Sequence, residues 1–212
     1  MRLYTFWRSS AAFRVRIALN LKAIGYECVA KQLARDEHRQ EGYVALNPQG
    51  LIPALEEQGF VIGQSLAIIE YLDETHREPP LLPAEPRPRA VVRAMAQGIA
   101  CDIHPLNNLR VLNYLKGPLG QDAAGVGRWY QHWIREGFIG LEELARRHSG
   151  DGRHLYGTTV TLADVCLVPQ LYNARRFRCD LAAFPTLTAI GAALEALPAF
   201  AAARPDAQPD AD

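Results

Sequence analysis

Two adjacent serines, Ser9 and Ser10, lie where an apolar, strand-like run would pass directly into a helix. The run before them is Leu3-Tyr4-Thr5-Phe6-Trp7, and apolar residues recur at helical spacing after them. The free N–H groups of a helix N-terminus point toward such a junction, and the helix dipole favours negative charge there. Arg8 adds a positive charge to the same turn. These residues predict an anion-binding site.

The composition argues against several classes of function. The chain has 212 residues, and its 23 Lys plus Arg are balanced by 23 Asp plus Glu, so no basic excess is available to neutralise nucleic-acid phosphates. No run of about 18 apolar residues suggests a membrane-spanning helix. The N-terminal residues lack the apolar stretch and cleavage site of a signal peptide. We therefore expect neither nucleic acid nor membrane among the partners.

The four cysteines are well separated in the sequence, at Cys28, Cys101, Cys166 and Cys179. No CxxC motif is present, so the spacing suggests neither a zinc site nor a redox motif. We expect free thiols in a cytoplasmic protein, with no bound metal. The sequence also shows no pair of carboxylates, Ser–His–Asp set or phosphate loop that would predict a different chemistry.

Residues 2–76 have the pattern of a small α/β unit. Strands are expected over 2–7 and 27–31, and a helix over 10–23. A polar stretch with one or two helical turns precedes a hairpin of two further strands. After the hairpin, Ser65 is expected as the N-cap of another helix.

Pro53 interrupts the apolar strand pattern of the first hairpin strand, Leu51-Ile52-Pro53-Ala54-Leu55. A proline cannot donate a hydrogen bond to a neighbouring strand, so it belongs at an edge or a bend. Either a cis Ile52–Pro53 bond or an ordinary trans proline in an edge strand would accommodate it. From the residues alone, both remain open.

After a proline-rich stretch over 77–88, which predicts a linker, the pattern becomes wholly helical. One long helix is expected from Val92 to about Leu115, and a second over 122–147. The tail that begins at Arg204 is expected to be loosely held.

Thr161 and Asp164 have the spacing of a capping box at the start of a buried helix, with Asp in place of the usual Glu. Pro169 should bend that helix, because it has no N–H for the helical hydrogen bond. A further helix is expected after Pro185.

Several segments together resemble the zeta class of the glutathione transferases. A small N-terminal α/β domain followed by an all-helical domain is the arrangement of glutathione transferases in general. The segments that resemble the zeta class are Arg8–Leu19, Asn47-Pro48 with Ile52-Pro53, Gln64–Leu72, Ile103–Leu109, Thr161–Asp164 and Leu167–Gln170. The resemblance implies a thioredoxin-like, glutathione-binding domain over residues 1–80. It also implies an all-helical, substrate-binding domain over residues 87–212, and a homodimer.

The resemblance also implies an activity, because the family contains the glutathione-dependent maleylacetoacetate and maleylpyruvate isomerases. The favoured expectation is cis–trans isomerisation of maleylacetoacetate to fumarylacetoacetate in aromatic amino-acid breakdown, by reversible addition of the glutathione thiolate. Maleylpyruvate, from gentisate breakdown, is the close second candidate, because Arg110 with Arg176 would suit its compact acid end. A general glutathione transferase and a noncatalytic binding protein are two further hypotheses.

Site residues of the family carry over to this chain position by position. Ser9 matches the serine that hydrogen-bonds the glutathione thiolate, and Ser10 is its neighbour in the same turn. The resemblance implies a catalytic set of Ser9, Ser10, Arg8, Arg110 and Arg176. It implies glutathione contacts at Ser9, Ser10, His38, Ile52, Pro53, Gln64 and Ser65, and at His104 and Asn108 in the second domain.

Ala11 departs from the family pattern, in which the third residue of the Ser-Ser-Cys motif is cysteine. The expected chemistry does not need a protein thiol, because glutathione brings its own sulfur. We therefore keep the predicted function without that cysteine. Arg14 and Arg16, on the first helix, are interpreted as structural and are expected to pair with acids across the domain interface.

Overall fold

The computed structural model describes residues 1–211 of the chain. The chain forms two compact units, Met1–Pro80 together with Ala196–Asp212, and Leu81–Glu195. The division into domains at residues 1–80 and 87–212 stays a prediction, and its last residue, Asp212, lies outside the described residues. The packing adds that the C-terminal residues associate with the first unit.

The secondary structure consists of four strands, nine α-helices and several shorter turns within the described residues. The strands are β1 (Arg2–Thr5), β2 (Glu27–Ala30), β3 (Ala54–Glu57) and β4 (Phe60–Gly63). The helices are α1 (Ser10–Leu21), α2 (Glu41–Leu46), α3 (Ser65–Thr75), α4 (Pro86–Gln97), α5 (Leu109–Lys116), α6 (Ala123–His148), α7 (Leu162–Arg176), α8 (Pro185–Glu195) and α9 (Pro198–Ala203). A π-helical segment spans Gly98–Ile103, and 3-10 turns span Leu33–Arg35, Glu37–Arg39, Pro105–Asn107 and Pro205–Ala207.

The four strands of the first unit form one mixed sheet in the order β2-β1-β3-β4. Leu3 of β1 lies beside Cys28 of the parallel strand β2 and beside Leu55 of the antiparallel strand β3. Strand β4 completes a hairpin with β3. The parallel pair needs a crossover connection, which α1 supplies. This unit has the thioredoxin-like fold, as predicted.

Helix α1 is the central element of the first unit. All its residues from Ser10 to Leu19 are buried, because α3 and α9 both pack against it. Its small residues, such as Ala12 and Ala18, allow the neighbouring elements to approach closely. The position of Ser9 and Ser10 is therefore set by the most enclosed helix of the unit.

The second unit is helical, and α7 is its most buried helix, with every residue from Leu162 to Leu171 buried. The predicted capping box is present at its start. The Asp164 carboxylate accepts hydrogen bonds from the backbone N–H and the hydroxyl of Thr161, both at 2.8 Å, and one from the N–H of Leu155 at 2.7 Å. Burial raises the pKa of Asp164 to about 6, and these hydrogen bonds oppose the rise.

The structure shows that three sequence-based expectations about local elements were wrong. The helix expected from Val92 to Leu115 is interrupted by the π-helical segment, by Pro105 and by Asn108, whose extended backbone caps the new helix α5. The tail from Arg204 is not loosely held, because the Asp210 carboxylate accepts a hydrogen bond from the Trp7 N–H. The N-cap residue of α3 is Gln64 rather than Ser65.

Two expectations about helices of the second unit were confirmed. The helices predicted over 122–147 and after Pro185 correspond to α6 and α8. The Ile52–Pro53 peptide bond is cis, which is one of the two arrangements compatible with the sequence. None of the helices within residues 1–211 combines the length and apolarity needed to cross a bilayer.

Candidate active site

Ser9 is the N-cap residue of α1, so its side chain lies among the free N–H groups of the first helical turn. Its Oγ accepts a hydrogen bond from the Ala12 N–H at 3.2 Å, and its own backbone N–H donates to the Phe6 carbonyl at 2.9 Å. A hydroxyl that accepts one hydrogen bond still has a hydrogen to donate. Ser9 can therefore donate to an anion at the positive end of a helix.

Ser10 is the first residue of α1 and is 7 % exposed, whereas Arg8 is exposed. The Arg8 guanidinium lies 5.0 Å from the centre of the Trp7 ring, where a cation–π contact favours its position. The turn thus offers one hydroxyl at the helix N-terminus and one exposed arginine beside it.

Two buried arginines of α1 organise the surroundings of this turn. Arg16 donates hydrogen bonds to the carbonyls of Trp7, at 2.9 Å, and Ala203, at 3.1 Å. Arg14 donates to the Ser65 Oγ at 3.3 Å. The structural role of both arginines stays an interpretation. The hydrogen bonds of Arg16 go to carbonyls and one hydroxyl of its own unit, so the expectation that it pairs with acids across the domain interface was wrong.

Gln64 and Ser65 form a second helix N-terminus in the same unit, at the start of α3. The Gln64 backbone has φ +67°, a region that non-glycine residues rarely adopt. Its side-chain amide is exposed and donates to the Gln49 side chain at 2.8 Å. Because Arg14 on α1 hydrogen-bonds Ser65, the two helix N-termini are connected by a single side chain.

His38 is buried and has an unsatisfied polar atom. It is 8 % exposed, and its Nδ1 is buried without a hydrogen-bond partner in the described structure. Burial lowers the pKa of His38, the charge of Arg39 lowers it further, and Asp36 opposes the change. A neutral imidazole with an unpartnered nitrogen is suited to a hydrogen bond with a ligand.

Ile52 and Pro53 follow a loop that is fixed by two side chains, Tyr43 and Asn47, which were not among the predicted site residues. The Leu51 carbonyl accepts hydrogen bonds from the Tyr43 hydroxyl, at 2.6 Å, and from the Asn47 amide, at 2.8 Å. Pro53 is buried, and Ile52 packs against a buried cluster that contains Tyr43. Asn47 belongs to a segment that carries the family resemblance, but only the fold shows that its amide bonds the Leu51 carbonyl.

In the second unit, the segment after the π-helix carries three of the predicted site residues. His104 closes that segment, with its N–H bonded to the Ile99 carbonyl at 3.0 Å. The Asn108 Oδ1 caps α5 by accepting from the Arg110 N–H at 3.1 Å. Arg110 is therefore an exposed side chain in the first turn of a capped helix.

The segment that carries Arg110 is anchored to α6. Trp129 donates its indole N–H to the Leu106 carbonyl at 2.8 Å, and the Asn107 amide donates to the Tyr130 carbonyl at 3.2 Å. Neither Trp129 nor Asn107 was among the predicted site residues.

Arg176 is the last residue of α7 and is exposed. Its guanidinium lies 5.1 Å from the centre of the Phe177 ring, and that ring stacks on Tyr130 of α6 with centres 3.5 Å apart. Burial raises the pKa of the Tyr130 phenol far above its usual range, so this side chain stays uncharged. Helix α6 therefore fixes both segments that carry the exposed arginines Arg110 and Arg176.

Within residues 1–211, no group of three His, Cys, Asp or Glu side chains is arranged to hold a metal ion. In the first unit, Ser9 and Ser10 lie at the start of α1, and Arg14 of the same helix hydrogen-bonds Ser65 at the start of α3. The second unit joins the Arg110 and Arg176 segments through α6. The roles of all these residues remain predictions.

Comparison with known proteins identifies the family. Residues 1–74 match the glutathione S-transferase N-terminal domain. The chain is 52% identical to a probable maleylacetoacetate isomerase of Vibrio cholerae serotype O1, over 99% of this chain and 97% of that protein. It is also 48% identical to a solved holo maleylpyruvate isomerase, described as a bacterial zeta-class glutathione transferase, with a TM-score of 0.98 and 100% coverage of both chains. The chain belongs to the zeta class of glutathione transferases.

A second solved relative was determined with ligands bound. The maleylacetoacetate isomerase of Methylobacterium extorquens AM1 is 41% identical, with a TM-score of 0.95 and 100% coverage of both chains. Its structure was determined with bound malonate and glutathione.

The described residues of this zeta-class chain fit glutathione, a tripeptide with a thiol, an amino group and two carboxylates. The Ser9 hydroxyl and the N-terminus of α1 suit a thiolate. The N-terminus of α3 and the exposed Gln64 amide suit a carboxylate. The unpartnered Nδ1 of His38 is a further hydrogen-bonding group for a polar ligand.

Proposed function

We propose that this chain is a glutathione-dependent cis–trans isomerase that converts maleylacetoacetate to fumarylacetoacetate in aromatic amino-acid catabolism. The observation that carries the proposal is the Ser9 hydroxyl at the N-terminus of α1, in a chain 52% identical over almost its full length to a probable maleylacetoacetate isomerase. Glutathione acts as a cofactor that is regenerated, so the reaction does not consume it.

The first unit supplies the residues that bind glutathione and favour its ionised form. When bound, glutathione would supply a thiolate that adds to the conjugated double bond, so that this bond becomes single and can rotate, and elimination of the thiolate would then restore the double bond and regenerate glutathione. Ser9 donates a hydrogen bond to the thiolate, and the N–H groups of α1 stabilise its charge. Lowering the thiol pKa by about two units increases the thiolate fraction at neutral pH by at least about tenfold.

The remaining glutathione contacts that we propose fix the rest of the tripeptide. In the first unit, the residues that we propose to bind the tripeptide are His38, Ile52, Pro53, Gln64 and Ser65. Ser10 lies in the same turn as Ser9. We assign a similar binding role to His104 and Asn108 of the second unit. Correct placement of the thiol depends on these contacts, because a reacting atom must approach the double bond at a fixed distance and angle.

Three exposed arginines supply the positive charge that a dicarboxylate substrate requires. We propose that Arg110 and Arg176 bind its carboxylates through their planar guanidinium groups, and that Arg8 contributes beside Ser9. The same charges stabilise the negative charge that develops on the substrate carbonyl during the reaction.

Maleylpyruvate is the second candidate substrate. The likeness to the solved maleylpyruvate isomerase, with a TM-score of 0.98, favours it. Two exposed arginines in the second unit also suit its compact acid end.

The test is an assay of the purified chain with each maleyl substrate and a catalytic amount of glutathione, following the loss of the cis enol absorbance. We expect turnover that exceeds the glutathione supplied and stops when glutathione is omitted. A haloalkane or aryl halide in the same assay measures general transferase activity. Absence of turnover on both maleyl substrates would overturn the isomerase proposal, and conjugation alone would favour the general transferase.

The proposal extends to the roles of the two domains, to the oligomeric state and to the location in the cell. We propose glutathione binding by residues 1–80, substrate binding by residues 87–212, and a homodimer, which light scattering of the purified protein would test. Within the described residues no disulfide joins any of the four cysteines, Cys28, Cys101, Cys166 and Cys179, which supports a cytoplasmic location where thiols stay reduced. Cell fractionation would test that location.

A further inference from the structure

The C-terminal tail, residues 204–211, reaches the turn that precedes Ser9. The Asp210 Oδ2 accepts a hydrogen bond from the Trp7 backbone N–H at 2.9 Å, although the two residues are 203 positions apart in the sequence. The other carboxylate oxygen, Oδ1, is buried without a hydrogen-bond partner. A charged acceptor in this position makes one of the stronger kinds of hydrogen bond.

The same residue, Trp7, is also bonded through its carbonyl, to Arg16 of α1. The Arg16 guanidinium donates to the Trp7 carbonyl at 2.9 Å and to the Thr5 Oγ1 at 3.2 Å, both on the approach to Ser9. Arg16 is 0 % exposed, and burial lowers its pKa to about 10, while the charge of Asp210 is among those that oppose this change. The N–H and the carbonyl of Trp7 are therefore both bonded to charged side chains from other elements.

This contact leads to Ser9 within two residues. The Ser9 N–H donates to the Phe6 carbonyl at 2.9 Å, so Phe6, Trp7 and Ser9 belong to one hydrogen-bonded turn. A turn in which both the N–H and the carbonyl of a central residue are hydrogen-bonded to other elements has little freedom to shift. The turn that leads to Ser9 is therefore bonded to a residue 203 positions from Trp7 in the sequence.

Packing of the C-terminal region does not by itself require Asp210. Helix α9 is attached to α1 by the Asn20 amide, which donates to the Ala199 carbonyl at 3.0 Å, and by Arg16, which donates to the Ala203 carbonyl. Asp206, the other aspartate of the described tail, is exposed and pairs with Arg204. The Asp210 hydrogen bond is additional to these contacts and goes to the turn before Ser9.

We propose that Asp210 is a positioning residue, which orients the Ser9 hydroxyl toward the glutathione thiolate by fixing the backbone of Trp7 through its N–H. The inference rests on the proposed function, because it presumes that Ser9 hydrogen-bonds the thiolate. It assigns a role in that site to the C-terminal tail, which lies far from Ser9 in the sequence.

The test compares wild type with Asp210→Ala, Asp210→Glu, Asp210→Asn and the matched control Asp206→Ala. The pH dependence of the ultraviolet absorbance of enzyme-bound glutathione gives the thiol pKa directly, without turnover. We expect D210A to reduce the thiolate fraction at neutral pH by about threefold to tenfold, which corresponds to a rise of about half to one pKa unit. D210E should act in the same direction, because its extra methylene displaces the acceptor. D210N, which keeps an acceptor oxygen for the Trp7 N–H, and D206A should remain close to wild type.

A second measurement uses the protein without glutathione. Hydrogen exchange of the Trp7 amide should accelerate in D210A and D210E and remain at the wild-type rate in D206A. If D210A does not fold, D210E carries the test, since it retains the charge and differs from wild type by one methylene.

The outcomes separate this inference from the proposed function. A wild-type thiol pKa equal to that of free glutathione would contradict the proposed function itself. A lowered pKa in wild type that D210A and D210E leave unchanged would overturn only the role of Asp210, whatever their thermal stability. A D210N shift as large as that of D210A would also overturn it, because the effect would then come from charge rather than from position.

Discussion

Ser9 caps α1 in the structure, and we propose that it also donates a hydrogen bond to the glutathione thiolate. Experiments can separate these two roles. Its Oγ accepts from the Ala12 N–H as the cap of α1, and its hydroxyl hydrogen remains free for a ligand. Ser10 is already helical and mostly buried. The catalytic hydrogen bond is therefore expected from Ser9.

Ser9→Ala should reduce kcat/KM for the maleyl substrate by about tenfold to a hundredfold, because a hydrogen bond to a charged sulfur is lost. The thiol pKa should rise in the same variant, and loss of the cap should lower the free energy of unfolding by about 1 kcal/mol. Ser10→Ala serves as the control and should be mild, while Ser9→Thr should recover much of the activity. Equal, mild effects of both alanine variants would show that the wrong hydroxyl was assigned.

The two adjacent arginines at the end of α7 allow a matched comparison. Arg176 lies over the Phe177 ring, whereas Arg175 pairs with Glu195. Arg176→Ala should cost about 2 kcal/mol in substrate binding, which is about 30-fold in kcat/KM, with glutathione affinity unchanged. Arg175→Ala should leave both within about twofold of wild type. Steady-state kinetics with varied substrate and varied glutathione would test this, and a dispensable Arg176 would favour the general transferase.

At the scale of elements, a glutamate of α6 caps the N-terminus of α8. The buried Glu142 carboxylate of α6 accepts from the N–H groups of Thr186 at 3.0 Å and Leu187 at 2.9 Å, in the first turn of α8. Burial acts to raise the pKa of Glu142, but the hydrogen bonds from Thr186 and Leu187 outweigh it, so the pKa lies below its ordinary value. The charged form is therefore the one that stabilises the fold.

Glu142→Gln should lower the free energy of unfolding by about 1 to 3 kcal/mol at neutral pH, because one N–H of α8 loses its acceptor. A depressed pKa in the folded state gives stability that is present above the unfolded pKa and lost as the pH falls through the folded value. The difference from wild type should thus be full above about pH 5 and shrink in acid. Denaturant titrations at several pH values measure it, with the exposed neighbour Glu143→Gln as control. A difference that grows in acid would contradict this account.

The elements also show which parts of the fold are readable from local sequence. The apolar spacing of α6 predicted that helix, and the capping box at Thr161 and Asp164 predicted the start of α7. Each signal is carried by residues that are only a few positions apart in the sequence. The continuous helix expected from Val92 was wrong, since periodicity extends across Pro105 and does not reveal that Asn108 starts a new helix.

At the scale of the whole molecule, the contacts that complete the candidate site join distant parts of the chain. The serines and the exposed arginines could be located from motifs, because their residue types and neighbours are distinctive. The Ala203 carbonyl that accepts from Arg16 and the Trp7 N–H that donates to Asp210 could not be located in this way. Both are backbone groups, which every residue type provides. The sequence predicted a loosely held tail for the same reason.

Association of residues 196–211 with the first unit leads to a last prediction, about what can fold alone. Arg16 is fully buried and uses the Ala203 carbonyl as one of its acceptors, and the side chain of Phe200 is 0 % exposed. A fragment of residues 1–80 should therefore lack native helix content and slow hydrogen exchange, because it would leave a face of α1 uncovered and would remove one acceptor of the buried Arg16 charge. Truncation after Arg204, which keeps α9 and removes Asp210, should preserve the fold while weakening thiol ionisation. Circular dichroism and hydrogen exchange decide the matter, and a fragment 1–80 with native protection would show that the predicted first domain is complete without its C-terminal helix.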